Sequence, residues 1–249
     1  IQCCTEGPLC HHSDECTHEV KEYNKELLFE KHDVPVIFIG AGTCGLAAGA
    51  AKVEESIKSE LLKNNIEARI VRVGCIGYCA KEVIVDIKLP NGERIAYSEV
   101  TPKLVPKLIQ TTIIEGGILQ ENLLGSHIRK SDVCCSIHDD PFFKHQKKIV
   151  LENCGIINPD SIDTYIASGG FKAITKALKL MPPENVVKEI LDSGLRGRGG
   201  AGFPTGKKWE FALKQKSETK YLICNADEGD PGAFMDRSVL ESDPYKLIE

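Results

Sequence analysis

The sequence predicts an α/β protein, and two observations support that prediction. In the first half of the chain, an apolar strand-like run at 34–40 and an alternating one at 67–73 flank the segment 46–64, whose apolar residues recur at helical spacing. Two further strand-like runs, VIVDI and ERIAY, flank the sequence PNG at 90–92, a strong hairpin signal. With a helix expected to be capped by Thr101, the predicted order is β-α-β-β-β-α.

The second half is predicted to be mainly helical, with one buried strand. The stretch YLICN at 221–225 is apolar enough for that strand, and ADEGDPG after it is typical of an acidic turn. Thr205 is expected to cap a helix that carries lysines and aromatic residues. Further helices are predicted over 161–168, from 165 or 171 to 180, and over 183–193.

These patterns divide the chain into four segments. A Cys/His-rich segment covers 1–33, an α/β domain covers 34–117, and a linker covers 118–140. A second domain starts at 141 and runs to 249, where the sequence stops inside an expected helix. We therefore expect this second domain to be incomplete.

Composition excludes several classes of function. The 249 residues carry a net charge of −5 with both signs interspersed, which does not fit a nucleic-acid surface. No apolar run approaches the roughly 18 residues of a membrane span, and no signal peptide is visible, so we expect a cytoplasmic protein. Eleven cysteines, an odd number, fit metal ligands better than a disulfide framework.

Three cysteines follow the first two predicted strands. Cys44 lies in the glycine-rich turn after the first strand, and Cys75 and Cys79 lie in the turn after the second. Three thiolates at neighbouring strand ends suit an iron–sulfur cluster, which takes soft ligands. The alternative is that they are buried structural cysteines.

The N-terminal segment contains a second group of metal-type residues. CCTEGPLCHHSDECTH holds four cysteines and three histidines within 16 residues. Zinc or a further iron–sulfur cluster would accept such ligands. The spacing matches no zinc-finger template, and an incidentally Cys-rich tail is equally compatible with it.

Residues 34–115 resemble the thioredoxin-like [2Fe–2S] ferredoxins of NADH dehydrogenase complexes and related hydrogenases. Those proteins use C-x₄-C in the first loop and C-x₃-C in the second. Here the second pair is intact, whereas Gly40 and Gly45 stand where the first pair is expected, and Cys44 is one position off. A fourth ligand must then come from another chain or from elsewhere in this one, unless the cluster is altered or lost. Candidates in this chain are Cys3, Cys4, Cys10 and Cys16.

A glycine-rich stretch, GLRGRGGAGFPTGKKWEF at 194–211, is the strongest signal in the second half. It lacks the Lys-Ser or Lys-Thr of a P-loop, and a helix rather than a strand is predicted before it, unlike a Rossmann turn. Bare backbone N–H groups ahead of a helix bind phosphates, and the nearby aromatic rings offer faces to planar groups. Each feature taken alone also has a purely structural interpretation. The acidic turn would be a solvated loop, and the aromatic residues would belong to the core.

Together with KYLICNADEGDPGAFMDRSVLESDP, this stretch resembles the flavoprotein subunit of respiratory complex I and the NADH-binding subunits of cytosolic NAD(P)-linked hydrogenases and formate dehydrogenases. The resemblance implies an FMN- and NAD-binding α/β domain fused behind a thioredoxin-like ferredoxin domain. It implies that a loop of Gly197, Arg198, Gly199, Gly200, Ala201 and Gly202 covers FMN and NAD(H).

The resemblance also implies roles for individual side chains. Phe203 and Phe211 would stack on the adenine side of the dinucleotide, and Lys208 would contact FMN or the nucleotide phosphates. In the acidic turn, Asn225, Asp227 and Glu228 would hold FMN, with Glu228 near the nicotinamide as the catalytic-site carboxylate. Asp230 stands where many relatives have Glu, which keeps the charge.

The implied activity is hydride transfer between NAD(H) and FMN, followed by single-electron transfer to iron–sulfur clusters. Implied partners are other iron–sulfur subunits of a hydrogenase or formate dehydrogenase-type complex, and ferredoxin if the complex bifurcates electrons. A [4Fe–4S] cluster is expected in the part of the family that lies beyond residue 249. Two alternatives remain open: a non-catalytic, zinc-binding relay or assembly subunit with a vestigial flavin site, and a phosphate-binding regulatory domain.

Overall fold

The computed structural model describes residues 14–249, with side chains from residue 19 onward. The predicted ligands Cys3, Cys4 and Cys10 lie outside the described residues, as does the side chain of Cys16. In the described part of the chain, no helix is long and apolar enough to cross a membrane.

A five-stranded mixed sheet forms the centre of the first half. Its strands are β1 Val36–Gly40, β2 Arg69–Val73, β3 Val85–Lys88, β4 Arg94–Tyr97 and β5 Leu123–Ser126. Their order across the sheet is β2-β1-β3-β4-β5; β1 and β2 are parallel, and the other pairs are antiparallel. This confirms the predicted α/β class and the predicted β-α-β-β-β order.

Ten α-helices accompany the sheet in the described residues. They are α1 Asp14–Leu27, α2 Thr43–Ala48, α3 Ala50–Lys63, α4 Val105–Ile109, α5 Ile162–Ala167, α6 Lys172–Leu180, α7 Pro183–Asp192, α8 Thr205–Lys214, α9 Met235–Ser242 and α10 Pro244–Ile248. The helices predicted at 161–168, 171–180 and 183–193 correspond to α5, α6 and α7. Ser161 caps α5 by accepting a hydrogen bond from the backbone N–H of Thr164.

Two helix boundaries differ from the prediction. The helix expected over 46–64 is divided into α2 and α3, because Gly49 between them has a left-handed backbone with φ of 106°. The helix expected from Thr101 starts later, at Val105, after a turn in which the carbonyl of Thr101 accepts hydrogen bonds from Leu104 and Val105. It continues into a π-helical turn, Gln110–Ile114.

Two further predictions, one of a linker and one of a strand, need correction. The segment 118–140, predicted as a linker, contains β5, which pairs with β4 and forms one edge of the sheet. The run 221–225, predicted as a buried strand, is exposed and forms no strand; the side chain of Leu222 is fully exposed. No strand of the described residues lies beside it to accept its backbone hydrogen bonds, and a strand does not form without such a partner.

The core lies between one face of the sheet and helices α3 and α4. Ile37 and Ile39 of β1 are fully buried there, beside Val85 of β3, Ile57 of α3 and Leu108 of α4. Burying side chains of this size is worth about 1.5–3 kcal/mol each. Every residue of β1 is buried, so this strand fixes the edge at which the loops after β1 and β2 meet.

The opposite face of the sheet carries a buried ion network. The carboxylate of Asp86 accepts hydrogen bonds from Arg94, at 2.7 Å from Nε, and from His127, at 2.9 Å from Nε2. The guanidinium of Arg94 also lies 3.7 Å from the ring centroid of Phe38 and donates to the carbonyl of Gly155 at 2.6 Å. This last bond ties the sheet to the segment before α5.

Candidate functional site

The three predicted cysteines of the α/β half come together at one edge of the sheet. Cys44 lies in α2, directly after β1, and Cys75 and Cys79 follow β2. Because β1 and β2 are parallel neighbours, their carboxyl ends lie side by side. The three sulfur atoms lie within 4.8 Å of one another, and the sulfurs of Cys75 and Cys79 are 3.7 Å apart. The structure thus brings the three predicted cysteines together, and we refer to these three residues as the thiol group.

The surroundings of the thiol group supply hydrogen-bond donors to sulfur. The backbone N–H of Gly77 donates to Sγ of Cys75 at 3.2 Å, and Nη2 of Arg237 donates to Sγ of Cys44 at 3.6 Å. Burial raises the pKa of both the Cys75 and the Cys44 thiol. Three clustered sulfur donors in this setting fit an iron–sulfur cluster or a thiolate-bound metal ion.

Two glycines lie close to Cys44 in sequence, Gly40 at the end of β1 and Gly45 in α2. A methyl group added at Gly45 would overlap the backbone carbonyl of Gly40, so position 45 accepts only glycine in this backbone. At Gly40, a Cβ atom would lie 3.0 Å from Oε2 of Glu82. Packing therefore closes position 45 to a cysteine, whereas at position 40 the end of the Glu82 side chain would have to move.

Glu82 is a neighbour of the thiol group that the sequence analysis did not identify. Its Oε2 accepts a hydrogen bond from the backbone N–H of Ile84 at 2.9 Å and lies 3.3 Å from the place where a Cβ atom at Gly45 would stand. Burial raises the pKa of Glu82. No motif rule marks a Glu three residues after a C-x₃-C pair, so only the folded loop reveals its proximity.

Helix α9 packs directly against the loops that carry the thiol group. Glu241 accepts hydrogen bonds from both the backbone N–H and the hydroxyl of Thr43, the former at 2.9 Å. Ser242 lies against Gly74, the residue before Cys75. The contacts from α9 to Thr43, Cys44 and Gly74 connect the second half of the chain to the thiol group, and no sequence signal pointed to them.

The glycine-rich stretch forms a closed, exposed loop ahead of α8. Backbone hydrogen bonds from Gly197 to Phe203 and from Thr205 to Leu195, both 2.9 Å long, close its base. Gly200 has a φ of 99°, and a Cβ atom there would contact nothing within 4 Å, so the backbone at the tip of the loop is open. This arrangement of bare backbone at the start of a helix fits the binding of an anionic, planar cofactor.

The side chains around this loop are available to a ligand. Phe203 and Phe211 are 44% and 54% exposed, and their ring centroids are 6.4 Å apart. Lys207 is paired with Glu210 at 2.7 Å, whereas Lys208 forms no ion pair with any described residue. The structure therefore brings the two predicted aromatic residues together and leaves Lys208 as an unpaired cation nearby. Predicted loop residues Arg198 and Ala201 are also exposed.

The acidic turn is arranged differently from the loop. Asn225, Asp227 and Asp230 are exposed, and Oδ1 of Asn225 accepts a hydrogen bond from the backbone N–H of Asp227 at 3.1 Å. Glu228 instead caps α9, since its two carboxylate oxygens accept from the backbone N–H groups of Asp236 and Arg237 at 2.7 and 3.0 Å. Within residues 14–249, no hydrogen bond, ion pair or ring contact joins this turn to the glycine loop.

Residues 190–249 match the family model described as the Nuo51 FMN-binding domain. Two curated relatives extend this likeness. The NADP-reducing hydrogenase subunit HndC of Solidesulfovibrio fructosivorans is 57% identical over 106 residues, which cover 43% of this chain and 21% of the relative. An NADH-quinone oxidoreductase subunit of Rhizobium meliloti (strain 1021) is 50% identical over 101 residues, covering 41% of this chain and 24% of the relative.

Two solved structures are also similar. A thioredoxin-like [2Fe–2S] ferredoxin from Aquifex aeolicus aligns with 39% of this chain and 96% of its own, at 12% identity and a TM-score of 0.34. An NAD⁺-reducing [NiFe]-hydrogenase in its H₂-reduced state aligns with 91% of this chain and 36% of its own, at 21% identity and a TM-score of 0.34.

The resemblance predicted from the glycine-rich stretch is confirmed by the family model and by the two curated relatives, over a region of close sequence similarity. The chain spans about a fifth to a quarter of the length of those relatives.

Proposed function

We propose that this chain is part of an NAD(P)H-linked flavoprotein subunit that exchanges electrons between a nicotinamide dinucleotide and an iron–sulfur centre. One observation carries the proposal: the open glycine loop at the start of α8 lies inside the region that matches an FMN-binding domain. Its relatives are subunits of an NADP-reducing hydrogenase and of NADH-quinone oxidoreductases. The flavin, when bound, accepts a hydride and releases single electrons.

The residues of this chain would bind and orient the cofactors rather than transfer protons. The backbone of 197–202 would hold the flavin and dinucleotide phosphates, Lys208 would add positive charge, and Phe203 and Phe211 would pack on a ring. Asn225 and Asp227 are exposed and free to bond FMN. Glu228 would act near the nicotinamide from its position at the start of α9.

The thiol group would hold the electron acceptor of this chain, a [2Fe–2S] cluster. The three sulfur donors and the N–H donors around them supply the ligand chemistry that such a cluster needs. Electrons would pass on to iron–sulfur subunits of a hydrogenase-type or formate dehydrogenase-type complex. Ferredoxin would be a further partner if the complex bifurcates electrons, and a [4Fe–4S] cluster would belong to the rest of the subunit.

The test is anaerobic purification of the protein with its native partners, followed by assays of FMN, iron, sulfide and zinc. EPR spectra are then recorded before and after reduction with NADH. We expect stoichiometric FMN that NADH bleaches, together with a reducible signal that is lost in Cys75→Ser. Protein without FMN would refute the flavoprotein assignment.

A second candidate, a zinc-binding relay or assembly subunit, is favoured by one observation. Position 45 has no room for the second cysteine of the C-x₄-C pattern and position 40 is glycine, so the thiol group contains three sulfur donors rather than four. Zinc accepts mixed thiolate and oxygen ligands. Zinc in place of iron and sulfide, in protein that also lacks FMN, would favour this candidate.

A further inference from the structure

We propose that Glu82 is the fourth ligand of the metal centre held by Cys44, Cys75 and Cys79. This inference rests on the proposed function, because it completes the iron–sulfur site assigned there. It makes ligation by the N-terminal cysteines or by a second chain unnecessary.

The first argument is position. Glu82 belongs to the same loop as Cys75 and Cys79, and its carboxylate faces the end of β1 and the start of α2, which carries Cys44. The carboxylate also lies 3.0 and 3.3 Å from the places where Cβ atoms at Gly40 and Gly45 would stand. It thus occupies the space beside the β1 loop that side chains at those two positions would need.

The second argument is charge. Glu82 is half-buried, and it forms no ion pair with any lysine, arginine or histidine of the described residues. Removing a carboxylate from water is costly unless hydrogen bonds or a cation offset the loss. A metal centre bound to the thiol group would supply the missing positive charge. A carboxylate in place of a fourth thiolate keeps the total ligand charge unchanged.

The third argument is orientation. Oε2 of Glu82 accepts the hydrogen bond from Ile84 at 2.9 Å, which fixes the plane of the carboxylate. No backbone N–H of the described residues donates to Oε1, so this oxygen is the one left to bind a metal. The carboxylate stands outside the 4.8 Å group of sulfur atoms, and we expect metal loading to draw it toward them.

The test uses the full chain, loaded anaerobically with ferrous iron and sulfide and then challenged with a chelator. Three variants are compared with the wild type: Glu82→Gln, Glu82→Cys and, as the matched control, Glu99→Gln. Glu99 is an exposed carboxylate paired with Lys81, so its change removes one charge without touching the thiol group. Iron and sulfide per chain, visible absorption and EPR of the reduced sample are measured.

We expect Glu82→Gln to lower retention of iron and sulfide by about tenfold or more, the size of effect seen when groups that support metal ligands are removed. Glu82→Cys should retain the cluster and shift its absorption and EPR spectra toward those of an all-thiolate centre. Glu99→Gln should match the wild type. Thermal unfolding of each metal-free variant checks that the fold is retained.

Retention and spectra of Glu82→Gln equal to those of the wild type would overturn the inference while leaving the proposed cluster intact. If Glu82→Gln fails to fold, an unshifted spectrum in Glu82→Cys overturns it instead. Wild-type protein that takes up zinc but no iron would refute the proposed cluster. The role of Glu82 is then decided by comparing zinc retention in Glu82→Gln with that in the wild type. Wild-type protein that holds neither metal overturns both.

Discussion

Strand β1 and the run 221–225 have similar apolar sequences but opposite environments. All five residues of β1 are buried between β2, β3 and the helices above them, whereas Leu222 is fully exposed and Ile223 is 83% exposed. The difference lies in the neighbours that the described residues provide, because β1 has a strand on each side and 221–225 has none. An apolar run predicts burial only where the fold supplies a partner for its backbone.

The same contrast separates the two candidate sites. The thiol group stands on loops held by β1 and β2, and its sulfur atoms lie close together. The glycine loop and the acidic turn lie on the surface, with open backbone and exposed side chains. We therefore expect substitutions near the sheet to change stability and substitutions in the loop to change binding.

The largest expected effect is that of Asp86→Ala. It would leave the guanidinium of Arg94 buried without its partner, and breaking a buried ion pair on one side costs about 3–5 kcal/mol. The free energy of unfolding, measured by urea denaturation, should fall by this amount. Glu121→Gln, which removes an exposed pair with Lys107, is the control and should change it by no more than about 1 kcal/mol. Equal effects would contradict the role of the buried network.

A second prediction tests the opening comparison directly. Ile39→Ala removes a fully buried side chain from β1 and should lower the free energy of unfolding by about 2–5 kcal/mol. Leu222→Ala removes an exposed side chain and should change it by less than about 0.5 kcal/mol. If Leu222→Ala proved as destabilising as Ile39→Ala, the run 221–225 would have a buried partner in solution.

Gly45→Ala tests how tightly the β1 loop is packed. Since its methyl group would overlap the carbonyl of Gly40, we expect a loss of about 1–3 kcal/mol in unfolding free energy, with weaker metal retention. Gly199→Ala serves as the control, because a Cβ atom at that position meets nothing within 4 Å. Denaturation and metal assays of both variants would decide the point; a stable Gly45→Ala protein with normal metal content would show that the loop adapts.

Two adjacent lysines, Lys207 and Lys208, test the assignment of the glycine loop as a phosphate-binding site. Lys208 has no carboxylate partner in the described chain, whereas Lys207 is neutralised by Glu210. Lys208→Ala should weaken FMN or dinucleotide binding about tenfold, as expected for one charge-assisted bond to phosphate. Lys207→Ala should have a smaller effect in the same fluorescence titration. The reverse ranking would place the phosphates elsewhere.

The smallest expected effect is the pH dependence that Asp86 contributes. Burial alone would raise the pKa of Asp86, but Arg94 and His127 outweigh it and hold the pKa below its ordinary value. A lowered folded-state pKa contributes stability above the unfolded-state value, and this contribution is lost as the pH falls through the folded-state value. Stability should therefore decline below about pH 4, the ordinary range of aspartate. Urea midpoints of Asp86→Asn across this range should decline less steeply than those of the wild type.

Sequence patterns predicted the sheet and the thiol group for the same physical reason. The apolar run of β1 and the alternating run of β2 both predict strands, and cysteines that follow two neighbouring parallel strands meet at one edge of the sheet. β5 was missed because four residues with a glycine among them carry no alternation that would distinguish them from a loop.

Sequence patterns do not reveal the side-chain contacts that form only when the loops and helices fold. The approach of Glu82 to Gly40, the contact of Arg237 with Cys44 and the capping of α9 by Glu228 all depend on how the loops fold. None has a characteristic spacing, so these neighbours could be found only in the folded structure. The residues of the glycine loop and acidic turn, by contrast, were selected by resemblance, and their roles await the binding tests above.

The contact between Gly74 and Ser242 limits which side chains these two distant positions can carry together. Any side chain at position 74 would overlap Ser242. A related protein with such a side chain must therefore hold α9 farther from this position. We expect a bulkier residue at position 74 to appear only together with a rearranged or absent α9 contact. Among related sequences, covariation of positions 74 and 242 would then identify those in which α9 still packs against the loops of the thiol group.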